Sequence, residues 1–171
     1  MTHWAPLATS AVALREAPRA RDVEAVREIV RATGMFGADE IAIAADLVEE
    51  ALARGPDSGY RFHFAEADAR LLGYACHGPI PLTRDSFDLY WIAVHPHHQR
   101  RGLGARLLAA AEAAAARAGA SRLYVDTSGR AAYARTRAFY ERSGYQLAAS
   151  LADFYGPGDA KWIYVKRLGA R

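Results

Sequence analysis

The chain has 171 residues, of which 51% are apolar and 24% charged, and its formal net charge is +3. These values are typical of a globular protein with one domain, and they exclude a collagen-like, coiled-coil or intrinsically disordered chain. The small positive excess is also far from that of a polybasic segment that binds nucleic acid. The one cysteine, Cys76, cannot form an internal disulfide, and no apolar run is long enough to span a membrane, so the sequence predicts a soluble cytoplasmic protein.

The first third of the chain predicts a loose terminus, a strand and two helices. Residues 1–10 show no periodicity and are expected to be loose, with the folded domain over 11–171. A short strand is predicted at 12–16, and a helix is predicted over 22–33, where apolar residues recur at helical spacing until a Thr-Gly pair. A second helix with the same spacing ends at 54–56, where Arg-Gly-Pro is a strong stop signal.

The remaining elements combine strands with helices. Three strands, each rich in aromatic or aliphatic residues, are predicted at 60–67, 70–77 and 87–94. The later elements are a helix over 102–118, a strand over 122–126, a helix over 131–142 and a hairpin of strands over 145–154 and 162–168. This order indicates a single α/β domain, with a mixed sheet of about six to seven strands flanked by about four helices.

The turn before the long helix is suited to bind an anion. The first N–H groups of a helix have no partner within it and lie at the positive end of its dipole. Gly102 and Gly104 would let a diphosphate approach the backbone, and Arg100 and Arg101 would add charged hydrogen bonds. The segment lacks the Gly-Lys-Ser/Thr ending of a P-loop and the third glycine of a dinucleotide fingerprint. The glycines alone are also compatible with a plain tight turn.

Two motifs resemble those of a known family. Residues 99–104, Gln-Arg-Arg-Gly-Leu-Gly, resemble the Gln/Arg-x-x-Gly-x-Gly/Ala motif of the GNAT superfamily of N-acyltransferases. Residues 139–145, Phe-Tyr-Glu-Arg-Ser-Gly-Tyr, resemble the second signature of the same family. The resemblance implies a GNAT-like, mostly antiparallel sheet, acetyl-CoA as the acyl donor, and direct transfer of an acetyl group to a primary amine.

The resemblance also implies which residues hold the cofactor. The pantetheine arm would pair with the strand backbone at Ile92, Ala93 and Val94. The diphosphate would meet the turn that consists of Gln99, Arg100, Arg101, Gly102, Leu103, Gly104 and Ala105. Tyr133 stands where the family often has an asparagine that contacts the pantetheine.

Two residues are the main candidates for proton transfer. The resemblance makes Tyr140 the acid. A phenol has a pKa of about 10, above the value of about 8.5 for a thiol, so Tyr140 would hold its proton at neutral pH and could give it to the thiolate. The alternative is that Tyr140 belongs to an aromatic stripe of the helix that is buried in the core. Asp88 is the candidate base, because a period of two places it on one face with Tyr90, Ile92 and Val94, toward the expected cleft. The alternative is a strand-end aspartate bonded to turn amides. Weaker candidates for the base are Glu66, His63 and His77.

The acceptor is expected to bind between the early helices and the last hairpin. Aromatic and acidic side chains in these segments suit a cationic amine, although ordinary core and turn residues would explain them as well. The candidates are Phe36, Tyr60, Asp153 and Tyr155.

Several alternatives concern the partners. The acceptor is a small-molecule amine in the main interpretation and a protein lysine or N-terminus in the second. A CoA-binding regulatory module without turnover is a third, and both a homodimer and an acyl group longer than acetyl stay open. No metal is predicted, because the loop histidines His95, His97 and His98 lack a carboxylate or thiol at a familiar spacing.

Overall fold

The computed structural model describes residues 11–169, so the terminus predicted over 1–10 lies outside the described residues. The described part of the chain contains four α-helices and seven strands. In chain order they are β1 (Ala13–Arg15), α1 (Ala20–Thr33), α2 (Ala38–Arg54), β2 (Arg61–Ala67), β3 (Arg70–Pro79), β4 (Ser86–Val94), α3 (Leu103–Arg117), β5 (Arg122–Ser128), α4 (Ala134–Arg142), β6 (Gln146–Gly156) and β7 (Asp159–Arg167).

The predicted α/β fold is confirmed, and the differences concern the ends of elements. Helix α1 begins two residues before Asp22, because the Asp22 carboxylate accepts the backbone N–H of Arg19 at 2.7 Å from the third position of the helix. The last hairpin is tighter than predicted, because Pro157 and Gly158 alone connect its strands. Gly158 has a φ of 77°, a backbone conformation that glycine adopts without strain.

The sheet splits at its centre, and this split positions the site. The strand order is β1-β2-β3-β4-β5-β7-β6, and β4 and β5 form its parallel pair, with α3 as the crossover between them. The other neighbouring strands pair antiparallel. The β4–β5 ladder joins Ser86–Asp88 to 122–124 and goes no further, although both strands continue. Beyond Asp88 the two strands therefore diverge and leave a cleft.

Each face of the sheet has its own core. Helices α3 and α4 cover one face, where Leu107 and Leu123 are fully buried, and α1 and α2 cover the other, where Val26 and Phe64 are fully buried. Burial of these apolar side chains is the main stabilising contribution to such a layered domain.

Among residues 11–169, no helix is long and apolar enough to cross a membrane.

Candidate active site

A cavity of about 970 Å³ occupies the cleft between β4 and β5. Residues 89–94 of β4 and 125–128 of β5 line its two sides. The α1–α2 loop, the start of α4 and the last hairpin close it with Met35, Phe36, Tyr133, Tyr155 and Asp159. Because β4 has lost its neighbour in the sheet here, its backbone edge is available to an extended ligand.

Strand β4 contains a bulge at Tyr90. Its neighbour Trp91 pairs with Cys76 of β3, whereas Leu89 pairs with His77, so one residue of β4 is inserted between two consecutive partners. A bulge of this kind places one extra residue on its strand and shifts the alternation of the side chains that follow.

The bulge corrects the expected orientation of Asp88. Leu89 before the bulge and Val94 after it both pack into the core under α3, whereas Tyr90 packs against the core under α1 and α2. Asp88 therefore shares a face with Tyr90 on the α1–α2 side. The prediction that it shares a face with Ile92 and Val94 is wrong, because a period of two does not hold across the inserted residue.

Asp88 lies in an electrostatic environment that favours its protonated form. The pKa of its carboxyl is raised to about 6, first by partial burial and then by the negative charge of Asp126 on β5, while Lys161 on β7 opposes the shift. The Lys161 ammonium lies 2.5 Å from the Asp126 carboxylate, and Asp126 lines the cavity. Asp88 and Lys161 are not among the residues that line the cavity, so Asp88 lies beside Asp126 at the margin of the site.

The glycine turn continues directly from the cavity wall. Gln99 lines the cavity and donates its side-chain amide to the carbonyl of Val94 at 3.0 Å, which fixes the turn to the end of β4. Gly102 has a φ of 75° and precedes α3, and the first helical bond runs from the Arg106 N–H to the Gly102 carbonyl. The N–H groups of residues 103–105 are therefore the first of the helix and have no carbonyl within it to bond.

The same turn fits the close approach of a phosphate. A Cβ atom on Gly104 would lie 3.7 Å from the Phe139 ring, an ordinary contact, so the packing of the protein does not itself require glycine there. Leu103 is 5% exposed and belongs to the core, so it can offer a ligand its backbone but not its side chain. Arg100 and Arg101 are exposed beside the turn.

Tyr140 combines burial with access to the cavity. It is 4% exposed, its ring packs against those of Tyr145 and Tyr164, and it is among the residues that line the cavity. Burial raises the pKa of its phenol well above the usual value. The hydroxyl therefore keeps its proton at neutral pH.

Tyr133 connects two walls of the cavity. Its hydroxyl donates to the backbone carbonyl of Met35 at 3.2 Å, and the guanidinium of Arg130 lies 5.7 Å from the centre of its ring. The hydrogen bond ties the α1–α2 loop to the start of α4. A contact of Tyr133 with pantetheine stays a prediction.

Two of the four predicted acceptor residues line the cavity and two do not. Phe36 and Tyr155 line the cavity, and Phe36 packs against Trp91 with ring centres 4.9 Å apart. Tyr60 packs edge-on against Tyr90 and is not among the lining residues. Asp153 is also outside the lining, and its carboxylate accepts the backbone N–H of Gly158 at 2.7 Å within the hairpin.

Comparison with known proteins agrees with this arrangement. The model of the acetyltransferase (GNAT) family matches residues 24–145. The chain belongs to the GNAT acetyltransferase family. The predictions of an acyltransferase and of acetyl-CoA as its donor are therefore confirmed. No curated protein sequence matches this one.

Solved structures show the same GNAT fold. A Desulfovibrio desulfuricans protein assigned to the GNAT family is 45% identical, with a TM-score of 0.92 over 93% of this chain and 100% of its own. The Escherichia coli ribosomal-protein-S18-alanine N-acetyltransferase is 22% identical, with a TM-score of 0.73 over 94% and 96% of the two chains. Salmonella typhimurium yncA, solved with acetyl-CoA, is 22% identical, with a TM-score of 0.75 over 94% and 96%.

Sequence reasoning missed several residues of this GNAT site. Ser128 donates to Asp159 at 2.5 Å, and the Arg130 guanidinium lies 3.1 Å from the same carboxylate, so the end of β5 is bound to the last hairpin. Asp126 is exposed between the buried Val125 and Thr127, and Ser128 lies one strand period beyond Asp126. That alternation was a usable signal for polar side chains facing the cleft.

The weaker candidates for the base lie outside the cavity lining. Glu66 forms ion pairs with Arg15, Arg19 and Arg21. His63 and His77 are buried with their Nε2 atoms 3.2 Å apart, and burial lowers the pKa of both rings. Within residues 11–169, no group of three or more His, Cys, Asp or Glu side chains is placed to hold a metal ion.

Proposed function

We propose that this GNAT protein transfers an acetyl group from acetyl-CoA to the primary amine of a small cationic molecule. The observation that carries the proposal is Asp126 in the lining of the cleft, with Asp88 close to it although outside that lining, and aromatic walls at Phe36 and Tyr155. Carboxylates attract an ammonium group, and aromatic faces add cation–π contacts.

The donor side of the cavity fits acetyl-CoA. The unpaired edge of β4 over residues 89–94 suits an extended amide-bearing arm, and the turn at 99–105 suits a diphosphate. Acetyl-CoA supplies an activated thioester when bound. By resemblance to the family, a β4 backbone N–H near Val94 would donate a hydrogen bond to the carbonyl oxygen of that thioester as negative charge develops on it.

The acceptor amine has to lose a proton before it attacks, and Asp88 is suited to accept it. A carboxylate with a pKa of about 6 is ionised at neutral pH and is more basic than an ordinary aspartate. Burial is the main cause of the raised pKa and Asp126 adds to it; Asp126, which is paired with Lys161, would also attract the positive end of the acceptor.

Tyr140 is suited to supply the proton that the departing thiolate needs. Its Oη belongs to a residue that lines the cavity, and burial raises the pKa of the phenol above that of a thiol. The hydroxyl therefore stays protonated at neutral pH and can donate a hydrogen bond to the thiolate as it departs, whereas complete transfer of its proton to a free thiolate is uphill.

The shape of the acceptor side supports a small molecule over a protein. The hydrogen bond from Tyr133 to the Met35 carbonyl bridges the α1–α2 loop and α4, and the end of β5 is joined to the hairpin through Ser128 and Asp159. The first link narrows the cavity between the α1–α2 loop and α4, and this narrowing favours a small acceptor over a long peptide segment.

A screen for CoA thiol release tests the proposal. With acetyl-CoA present, small molecules that carry at least two amino groups are expected to release thiol much faster than neutral monoamines, because the second ammonium can pair with the acidic wall. Peptides with a free N-terminus or a lysine serve as the matched comparison. Faster turnover of the peptides would replace the small-molecule proposal, and tight CoA binding without thiol release from any amine would indicate a regulatory module.

The pH dependence of catalysis tests the base. As the pH falls through about 6, kcat/KM is expected to decrease, because the Asp88 carboxylate becomes protonated. Asp126→Asn should move this acidic limb to lower pH, since it removes the negative charge that raises the Asp88 pKa and leaves Lys161 unneutralised. Asp88→Asn should lower kcat/KM about 100-fold at neutral pH.

The measurement is kcat/KM for the amine as a function of pH with saturating acetyl-CoA. The titration of an alkyl amine itself, near a pKa of about 10, is common to all variants and does not affect the comparison. An acidic limb that Asp126→Asn leaves in place, or that survives in Asp88→Asn, would remove Asp88 from this role.

A further inference from the structure

Lys161 on β7 places a positive charge beside the carboxylate that faces the proposed acceptor. Its ammonium lies 2.5 Å from Oδ2 of Asp126 and 4.8 Å from the centre of the Phe154 ring. The Lys161 side chain is 20% exposed and is not among the residues that line the cavity, whereas Asp126 is 39% exposed and does line it. The lysine therefore neutralises Asp126 from outside the lining.

Asp126 differs in its pairing from Asp159, the other aspartate that lines the cavity. The two oxygens of Asp159 are both used, one by the hydroxyl of Ser128 and the other by the guanidinium of Arg130. In the part of the chain that the structure describes, Asp126 is paired through Oδ2 alone, and its side chain is the more exposed of the two. Asp126 thus keeps one oxygen that a cationic ligand can bind.

The choice of lysine over arginine at position 161 keeps that oxygen accessible. The chain has 22 lysine and arginine residues, of which Lys161 and Lys166 are the lysines. An arginine fork commonly binds both oxygens of a carboxylate, whereas an ammonium is a compact charge that needs only one. Lys161 therefore reduces the negative charge of the site without covering the carboxylate.

We infer that Lys161 is a specificity-determining residue, an internal counter-ion that limits how many positive charges the acceptor site attracts. When Asp88 and Asp126 are both ionised, these two carboxylates and the Lys161 ammonium carry a net charge of −1. One ammonium group besides the reacting amine balances that charge, and further ammonium groups gain little from it. The inference rests on the proposed function, because it concerns the charge of an amine acceptor.

A purely structural role for Lys161 is the alternative to be tested against. A partly exposed ion pair contributes little to stability, and β7 is already held by its ladders with β5 and β6. Lys161→Met removes the charge but keeps an unbranched side chain against the Phe154 ring, a contact that a thioether also makes favourably. The variant should therefore fold like the wild type, which circular dichroism and thermal unfolding would verify.

Lys161→Met is expected to tighten the binding of amines by a factor that grows with their charge. The measurement is calorimetric titration of butylamine, diaminobutane and aminopropyl-diaminobutane into protein saturated with CoA. At about pH 8 carboxylates are ionised and alkyl ammonium groups keep their protons. Affinity should rise by less than about 3-fold for butylamine, by about 10-fold for diaminobutane and further for the triamine, because the lysine no longer repels the second and third ammonium groups.

Two further variants serve as controls. Lys166→Met removes the same charge from the same strand, but Lys166 pairs with Glu112 at 2.7 Å and is not among the residues that line the cavity. It should bind all three amines like the wild type. Lys161→Arg keeps the positive charge, so it should tighten the binding of none of them.

The pH dependence gives a second measurement, which a structural role would not change. Lys161 opposes the rise of the Asp88 pKa to about 6, so Lys161→Met should raise that pKa and move the acidic limb of kcat/KM to higher pH, opposite to Asp126→Asn. Among the described groups that act on Asp88, the neighbouring Tyr90 phenol has a pKa raised to about 12 and stays neutral throughout. NMR titration of the Asp88 carboxyl carbon reports the same shift without turnover.

The outcomes distinguish this inference from the proposed function. Tighter binding of the diamine to Lys161→Met, with a higher Asp88 pKa, supports the inference even if no thiol is released, in which case the proposed function alone fails. Amines that are acetylated but bind equally well to Lys161→Met and Lys166→Met would overturn the inference and leave the proposed function standing. Absence of amine binding to every folded variant would overturn both.

Discussion

Gly104→Glu is expected to weaken coenzyme A binding at least about 100-fold and to leave the fold intact. Gly104 is the second residue of α3, where the first N–H groups of the helix point outward. A glutamate there would place a bulky negative group at the position proposed for the diphosphate. The fold should tolerate the change, because a Cβ atom meets the Phe139 ring at an ordinary 3.7 Å and an acidic residue is favourable in the first turn of a helix.

Calorimetric titration of CoA into each variant measures this effect. Ala109→Glu is the matched control, because it adds the same charge at an exposed position of the same helix, beyond its first turn. It should bind CoA within a few-fold of the wild type. Unchanged affinity in Gly104→Glu would show that the turn does not hold the diphosphate.

Tyr140→Phe is expected to lower kcat about 100-fold or more and to leave the affinity for acetyl-CoA nearly unchanged. The substitution removes one hydroxyl from a residue that lines the cavity and keeps the ring that packs against Tyr145 and Tyr164. Because the phenol is proposed to act on the departing thiolate, its loss should appear in turnover and not in binding.

Tyr145→Phe is the control for the loss of a buried tyrosine hydroxyl. Tyr145 is 3% exposed, belongs to the same aromatic cluster and is not among the residues that line the cavity. Its variant should keep the wild-type kcat. Equal steady-state rates for Tyr140→Phe and the wild type would remove Tyr140 from the mechanism, and a parallel loss in both variants would indicate a packing effect.

The cofactor side of the site could be predicted from the sequence, because its determinants are close together in the chain. A strand, two glycines and a long helix within residues 88–118 are enough to predict a turn followed by a helix N-terminus, and the structure begins α3 at Leu103, directly after Gly102. The element order follows from helical and strand periodicity in the same way. Such signals need no knowledge of which strands become neighbours.

The acceptor side could not be predicted in this way. The bulge at Tyr90 is set by the pairing of β4 with β3, and it moves Asp88 to the face opposite Val94. The raised pKa of Asp88 depends on Asp126, which lies 38 positions later in the chain and is brought close by the parallel β4–β5 pair. These effects arise between residues that are distant in sequence.

By itself, the sequence determined an α/β domain with a glycine turn before a long helix and with a tyrosine-bearing helix, because periodicity, glycine and local motifs act over a few residues. The tertiary structure decided how far β4 and β5 stay paired, which face Asp88 takes, and that Tyr133 reaches the Met35 carbonyl. It also decided that β6 lies at an uncovered edge. Strand order and bulges are set by long-range pairing and packing, which no local pattern in the chain encodes.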